Sequence, residues 1–238
     1  MMSTAILLAG GSGTRMESAI PKQFLEISGK EIWARTVQAF QDCTQIGKII
    51  LVCREDYFEH MRRGVSRHEF SKVTRIVAGG RDSFHSALNG LRASGGAASD
   101  KVLILGEGRP CIPVAVIQRA LAMLDAYESC DTGIPVVETL FEAEGDTIAS
   151  IPDRARFYSG QGPEGFHFET VFSALSRHVR DGEGLMTNIS GIVRRYFPDV
   201  EMGLAAGSEV NIKITTPKDL LIAEQLLKLA PETDRNMA

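Results

Sequence analysis

No two cysteines in this chain stand at the spacing of a metal site or a redox pair. Cys43, Cys53, Cys111 and Cys130 are scattered without a CxxC. A zinc ribbon and a dithiol motif are therefore not indicated, and the four read as reduced structural thiols. The five histidines, His60, His68, His85, His167 and His178, also lack ligand spacing and read as structural or solvated side chains. No apolar run approaches the roughly 18 residues of a membrane span. The start, "MMSTAILLAGG", has no basic segment ahead of its short apolar stretch, so a cytoplasmic protein is expected. A net charge of −4 argues against nucleic-acid or membrane partners across the whole surface. Neither a Ser–His–Asp nor a Cys–His arrangement is suggested. Two phosphate-binding templates are missing as well. There is no GxxxxGK[ST] run, and Met16 stands where a dinucleotide fingerprint needs its third glycine.

What is present is an alternation of two periods. "TAILLA" (4–9), "KIILVC" (48–53), "VTRIVA" (73–78) and "KVLIL" (101–105) read as strands buried on both faces. Between them, "EIWARTVQAF" (31–40), "SFHSALNGL" (83–91) and "VIQRALAMLDAY" (116–127) repeat apolar residues at helical spacing. The alternation predicts right-handed βαβ units in an α/β, doubly wound, mainly parallel Rossmann-like sheet. One domain is expected over residues 1–238. The segment from about 136 to 160 reads as an inserted β-arm, with "EAEGD" (142–146) as a hairpin tip and "RARFYS" (154–159) as a short strand. "ASGGAAS" (93–99) reads as a loop. Near the end, Thr216, Pro217 and Asp219 predict an N-cap, a first helical position and a capping box.

In such a sheet, ligands gather beyond the carboxyl ends of the strands. Three glycine-rich turns follow strands, "AGGSGTR", "AGGRDS" and "LGEGRP", and are candidates for one shared site. In the first, Gly10, Gly11 and Gly13 allow a tight turn that aims backbone N–H groups at an anion. Arg15 lies within that turn and Lys22 follows seven residues later. Backbone amides, an arginine and a lysine together suit a triphosphate, whose charge grows as its α-phosphate is attacked.

The stretch "LLAGGSGTRMESAIPKQFL" resembles the opening of the methylerythritol-phosphate cytidylyltransferases and of the related ribitol-phosphate cytidylyltransferases. The resemblance continues through "GGRDSFHSALNGL", "RPC", "IPVVETL", "GPEGF" and "NIKITTPKDL", in order over nearly the whole chain. It implies an Mg²⁺-dependent enzyme that joins CTP to a polyol phosphate and releases pyrophosphate. By the same resemblance, Ala9, Gly10, Gly11, Ser12 and Gly13 would cradle the triphosphate, with Arg15, Lys22 and Lys213 as the catalytic cations. Gly79, Gly80 and Ser86 would recognise cytosine and ribose. Arg109, Arg154 and Thr187 would hold the polyol phosphate, Arg154 reaching the second copy of a homodimer through the β-arm. The chemistry then needs no strong base, because a phosphate oxygen of the acceptor is the nucleophile.

The family pattern breaks on the acceptor side. Its usual aspartate falls on Gly106, or on Glu107 if the loop is one residue shorter, which makes Glu107 a candidate for substrate and metal. "TNIS" keeps Thr187 but has Asn188 and Ile189 in place of two acids. Glu138 and Phe141 in "VVETLF" and Glu164 in "GPEGF" depart as well. Methylerythritol phosphate is the first expectation for the acceptor and ribitol phosphate or another sugar or polyol phosphate the alternative. A CTP-binding regulator that has lost turnover is a second class. A dehydrogenase rests on a glycine turn alone.

Overall fold

The computed structural model describes residues 3–11, 20–98, 100–106, 108–182 and 186–229. Four parallel strands form its centre: β1 (Ser3–Leu8), β4 (Ile46–Cys53), β5 (Val73–Ala78) and β6 (Lys101–Gly106), side by side in the order β6–β1–β4–β5. They stay parallel because helices carry the chain back between them: α1 (Ile32–Asp42) after β1, α2 (Phe58–Arg67) after β4 and α3 (Ser83–Ser94) after β5. A two-stranded hairpin, β2 (Glu26–Ile27) with β3 (Lys30–Glu31), precedes α1. The helices cover both sheet faces, so the strand interiors are apolar throughout. One face packs Leu7, Ile49 and Leu103 against Trp33, Phe40 and Met61; the other packs Ile6, Ile50 and Ile104 against Leu88, Leu91 and Leu175.

The helix α3 extends to Ser94, beyond the expected end at Leu91, and stops where Gly95 takes a left-handed conformation with φ of 61°. Its contact with the sheet is close. A Cβ on Gly90 would lie 2.5 Å from Ile6 Cγ2 and 3.0 Å from Val52 Cγ2. Alanine gains about 1 kcal/mol in helix propensity over glycine, but forcing a methyl into a packed interior costs about 1–3 kcal/mol. Gly90→Ala is therefore expected to lower stability by about 1 kcal/mol in urea unfolding, whereas a gain would show that helix and sheet separate easily.

The second half of the sheet is mixed. After α4 (Val114–Met123), β7 (Ser129–Pro135) carries three partners. β12 (Met202–Ala206) runs parallel along one side. On the other side β10 (Tyr158–Gly160) and β11 (Glu164–His167) follow in succession, both antiparallel, and β11 also pairs β6. The break between them falls at Gln161, Gly162 and Pro163. Helices α5 (Phe168–Asp181) and α6 (Ile189–Tyr196) lie between β11 and β12 in sequence, and α7 (Pro217–Leu229) follows β12. The start of α7 is capped as the sequence suggests: the Asp219 carboxylate accepts from Thr215 N–H, Thr215 Oγ1 and Thr216 N–H, each at 2.7 Å.

Strands β8 (Glu142–Glu144) and β9 (Thr147–Ser150) form a separate, fully exposed hairpin within the expected arm. The stretch 154–156 is not the expected strand but a short 3-10 turn, because the Asp153 side chain accepts from Ala155 N–H and caps it. Val137, Phe141, Ile148 and Ile151 stand exposed around the arm. Cys43, Cys53 and Cys130 are buried, and burial pushes Cys53 up to about 11 and Cys130 up to about 12, as inert structural thiols require. Among the described residues no helix is long and apolar enough to cross a membrane.

Candidate functional site

The glycine turns meet at the carboxyl ends of the parallel strands. Beyond β1, Ala9 N–H donates to Val52 O at 2.6 Å, and Gln23 Nε2 donates to Ala9 O at 3.1 Å. Among the described residues nothing lies within 4 Å of a Cβ placed on Gly10 or Gly11. Beyond β5, Gly79 N–H donates to Cys53 O at 2.9 Å. Ser86 Oγ accepts from Gly80 N–H at 2.9 Å and donates to Asp82 O at 2.8 Å. Glycine is required at position 80, where a Cβ would come 2.3 Å from His85 Cβ. Gly10, Gly79, Gly80 and Ser86 line a cavity of about 280 Å³ with Arg54, Glu55 and Asp56. The last three, which sequence reasoning missed, follow β4, whose exit turn carries no glycine signal.

A strap of hydrogen bonds leads from Lys22 to a second cavity. Lys22, in the short 3-10 turn Lys22–Phe24, donates from Nζ to Ile214 O at 2.9 Å. Ile214 N–H donates to Gly108 O at 2.8 Å, and a Cβ on Gly108 would press within 3.0 Å of Lys22 Nζ. Next in the chain, Arg109 Nη1 donates to Asn211 O at 2.5 Å, and Asn211 Nδ2 donates to Gly162 O at 3.0 Å. The segment 211–214 is thus tied to the first glycine turn and to the break in the sheet.

The second cavity, of about 430 Å³, is lined by Gly106, Arg109, Gln161, Thr187, Asn188 and Lys213, together with the carboxylates Asp131 and Glu164. Arg109 is buried, and burial draws its guanidinium down to about 10 against the opposing pull of Asp131. Asp131 accepts from Thr132 N–H at 2.7 Å and from Asn188 Nδ2 at 3.0 Å. Glu164 accepts from Ser190 N–H at 2.6 Å. Burial raises the Asp131 carboxyl against these hydrogen bonds. Burial and the charge of Asp131 raise Glu164 up to about 7. Cations and carboxylates therefore share one pocket, which can hold a phosphate at one wall and hydroxyls at another.

Of the expected residues, Gly10, Gly79, Gly80 and Ser86 line the first cavity and Arg109, Thr187 and Lys213 the second, with Ala9 and Gly11 beside Gly10 and Lys22 bonded to Ile214 next to Lys213. Arg154 is not among the residues of the cavity; in the single chain its guanidinium donates to Val137 O on the arm. Ser12, Gly13, Arg15 and Glu107 lie outside the described residues. Asp131 was missed. Its sequence signal is a lone carboxylate inside the strand "SCDTGIP", where a buried charge needs a reason.

Two glycine turns at the carboxyl ends of a parallel sheet, with a second cavity bearing cations and carboxylates, suit a nucleotidyltransferase of the α/β class. The family described as "IspD: 2-C-methyl-D-erythritol 4-phosphate cytidylyltransferase" matches residues 3–229, and the chain belongs to that family of cytidylyltransferases. A 2-C-methyl-D-erythritol 4-phosphate cytidylyltransferase of Lachnospira eligens is 35% identical over 234 residues, 95% of this chain and 100% of that protein. A Haemophilus influenzae bifunctional ribulose 5-phosphate reductase/CDP-ribitol pyrophosphorylase is 37% identical over 227 residues, 94% of this chain. The alignment spans 48%, about half, of that longer relative. In fold, the 4-diphosphocytidyl-2C-methyl-D-erythritol synthase of Anaerococcus prevotii superposes with a TM-score of 0.83 at 22% identity, covering 95% of this chain and 96% of that one.

Proposed function

We propose that the protein transfers the cytidylyl group of CTP to a small polyol phosphate. The supporting observation is the strap through Lys22, Ile214, Gly108 and Arg109, which ties the lysine after the first glycine turn to a pocket bearing the cations Arg109 and Lys213. CTP would lie with its base and ribose against Gly79, Gly80 and Ser86 and its triphosphate over Gly10 and Gly11. Lys22 and Lys213, with Arg15 and the amides of Ser12 and Gly13, would balance charge at the α-phosphate. An acceptor phosphate oxygen, held by Arg109 and Thr187, attacks the α-phosphorus. The bond from that phosphorus to the bridging oxygen breaks, and pyrophosphate leaves with the electron pair. No proton needs to move, since the attacking oxygen is already ionised, so positioning and charge balance carry the catalysis.

Mg²⁺ is the cofactor this reading takes. Among the described residues no group of three or more His, Cys, Asp or Glu could hold an ion. Glu107, with oxygens of the triphosphate, would hold it, since Mg²⁺ in phosphoryl-transfer sites sits on one or two carboxylates with substrate phosphates supplying much of the shell. Bound there, it would neutralise triphosphate charge. The exposed apolar arm and the position of Arg154 support a homodimer in which Arg154 completes the acceptor pocket of the other copy.

The experiment is pyrophosphate release from CTP and Mg²⁺ with 2-C-methyl-D-erythritol 4-phosphate and with ribitol 5-phosphate. Release with at least one is expected; folded protein that releases none with either disproves the reaction. The reading of a CTP-binding regulator draws on Gly106, Asn188 and Ile189. Against it stand Asp131 and Glu164, which keep the acceptor pocket acidic where the family's other acids are missing.

A further inference from the structure

Two carboxylates face one another in the acceptor pocket, an arrangement that costs stability. Gly165 of β11 pairs with Cys130 of β7, and Phe166 with Ser129. Continued by one residue, that antiparallel register sets Glu164 opposite Asp131. Directly opposed residues share a face with Cβ atoms about 5 Å apart, and like charges there repel. Both side chains line the cavity half-buried, and both are held by the start of α6.

Asn188 makes the arrangement possible. Its Oδ1 accepts from Gly191 N–H at 3.1 Å and caps α6, while its Nδ2 donates to Asp131. An aspartate at 188 would cap the helix equally well, but it would set a third carboxylate against Asp131 and donate nothing to it. The amide at 188 is therefore the complement of the acid at 131. The pocket's acidity has not disappeared with Gly106; it sits on β7 and β11. That relocation changes which end of the acceptor lies where. Arg109 and Lys213 attract its phosphate, whereas Asp131 and Glu164 repel it and accept hydrogen bonds from hydroxyls. A methyl group against these carboxylates would strip them of water and return no hydrogen bond.

We propose that Asp131 and Glu164, set by Asn188, are the acceptor-specificity residues, forming a wall that reads hydroxyl groups and favours an unbranched pentitol phosphate over a methyl-branched tetritol phosphate. The inference rests on the cytidylyltransferase reading and names its acceptor class. The test compares kcat/KM for ribitol 5-phosphate and 2-C-methyl-D-erythritol 4-phosphate in wild type, Asp131→Asn, Glu164→Gln and the double variant. Wild type is expected to prefer ribitol 5-phosphate, and the double variant to lose about tenfold of that preference, the size of a hydrogen bond to a charged group. The change should appear in the acceptor KM, with the KM for CTP held, which a merely structural role would not spare. Because Glu164→Gln keeps side-chain shape, it gives a reading even if changes at 131 unfold the strand. A wild-type preference for the branched acceptor, or a ratio untouched by the variants, overturns the proposal alone. Release with neither acceptor, from protein that binds CTP in calorimetry, overturns the reaction itself and the proposal with it.

Discussion

Lys22→Ala is expected to lower kcat about 10²- to 10³-fold, roughly 2.7–4 kcal/mol of transition-state stabilisation, the loss measured for one preorganised donor at a developing negative charge. Lys22 meets both conditions of such a donor. Its backbone is fixed by a short 3-10 turn whose next residue, Gln23, is buried and bound to Ala9 O. Its ammonium waits at Ile214 O, 2.9 Å away, beside Lys213 in sequence and beside Gly108, whose lack of a side chain leaves room for it. A carbonyl is a weaker partner for an ammonium than a phosphate, so the lysine can leave it when the triphosphate arrives. The acceptor KM should change little, because Arg109 and Thr187 are the residues proposed for that end. Steady-state pyrophosphate release checks the effect. A variant as fast as wild type would remove Lys22 from the reaction. A variant with a much lower melting temperature would mean that its bond to Ile214 serves the fold instead.

The parallel core was legible because its signals are local. Buried strands such as Ile46–Cys53 show as unbroken apolar runs, and helices such as Ile32–Asp42 show as a 3.6-residue stripe. Glycine turns after strands predict a shared site for the same reason, and Gly10, Gly79 and Gly80 line one cavity. What was not legible depends on distant pairing. Nothing near Glu164 says that β11 will insert antiparallel between β6 and β7. Asp131 belongs to the site only because that insertion brings Glu164 to it, and because α6, with Asn188 57 residues away, donates to it. Asn188 and Glu164 show in the sequence as isolated departures from a family pattern. Folded, they are two sides of one arrangement around Asp131. The arm misled in the opposite way: "RARFYS" has a strand's composition, but the Asp153 cap bends its first residues into a 3-10 turn.

The facing carboxylates also set how stability depends on pH. Burial raises both groups above their ordinary values, and the charge of Asp131 adds to the rise of Glu164, to about 7. A carboxyl raised on folding makes the native state bind more protons than the unfolded chain between the two pKa values. Stability must therefore fall as pH rises through that window, the opposite of the usual salt-bridged carboxylate. For Glu164 the window runs from its unfolded value, about 4.3, to about 7. The expected loss between pH 5 and pH 8 is on the order of 2 kcal/mol. Glu164→Gln removes the titration while leaving an oxygen for Ser190 N–H and adding a donor toward Asp131. Its urea midpoint should match wild type at pH 5 and exceed it at pH 8, with an unchanged m-value. The difference between the two proteins cancels the titrating groups away from this pair, so it reports Glu164 together with its effect on Asp131. A variant equally destabilised at both pH values would mean that Glu164 acts by packing, without a proton. The expected outcome carries a further consequence: a substitution that stabilises the fold at neutral pH while weakening acceptor choice marks the repulsion as a cost borne for function. The pocket would then be acidic because the acceptor needs hydroxyl partners there, and the fold is weaker for it.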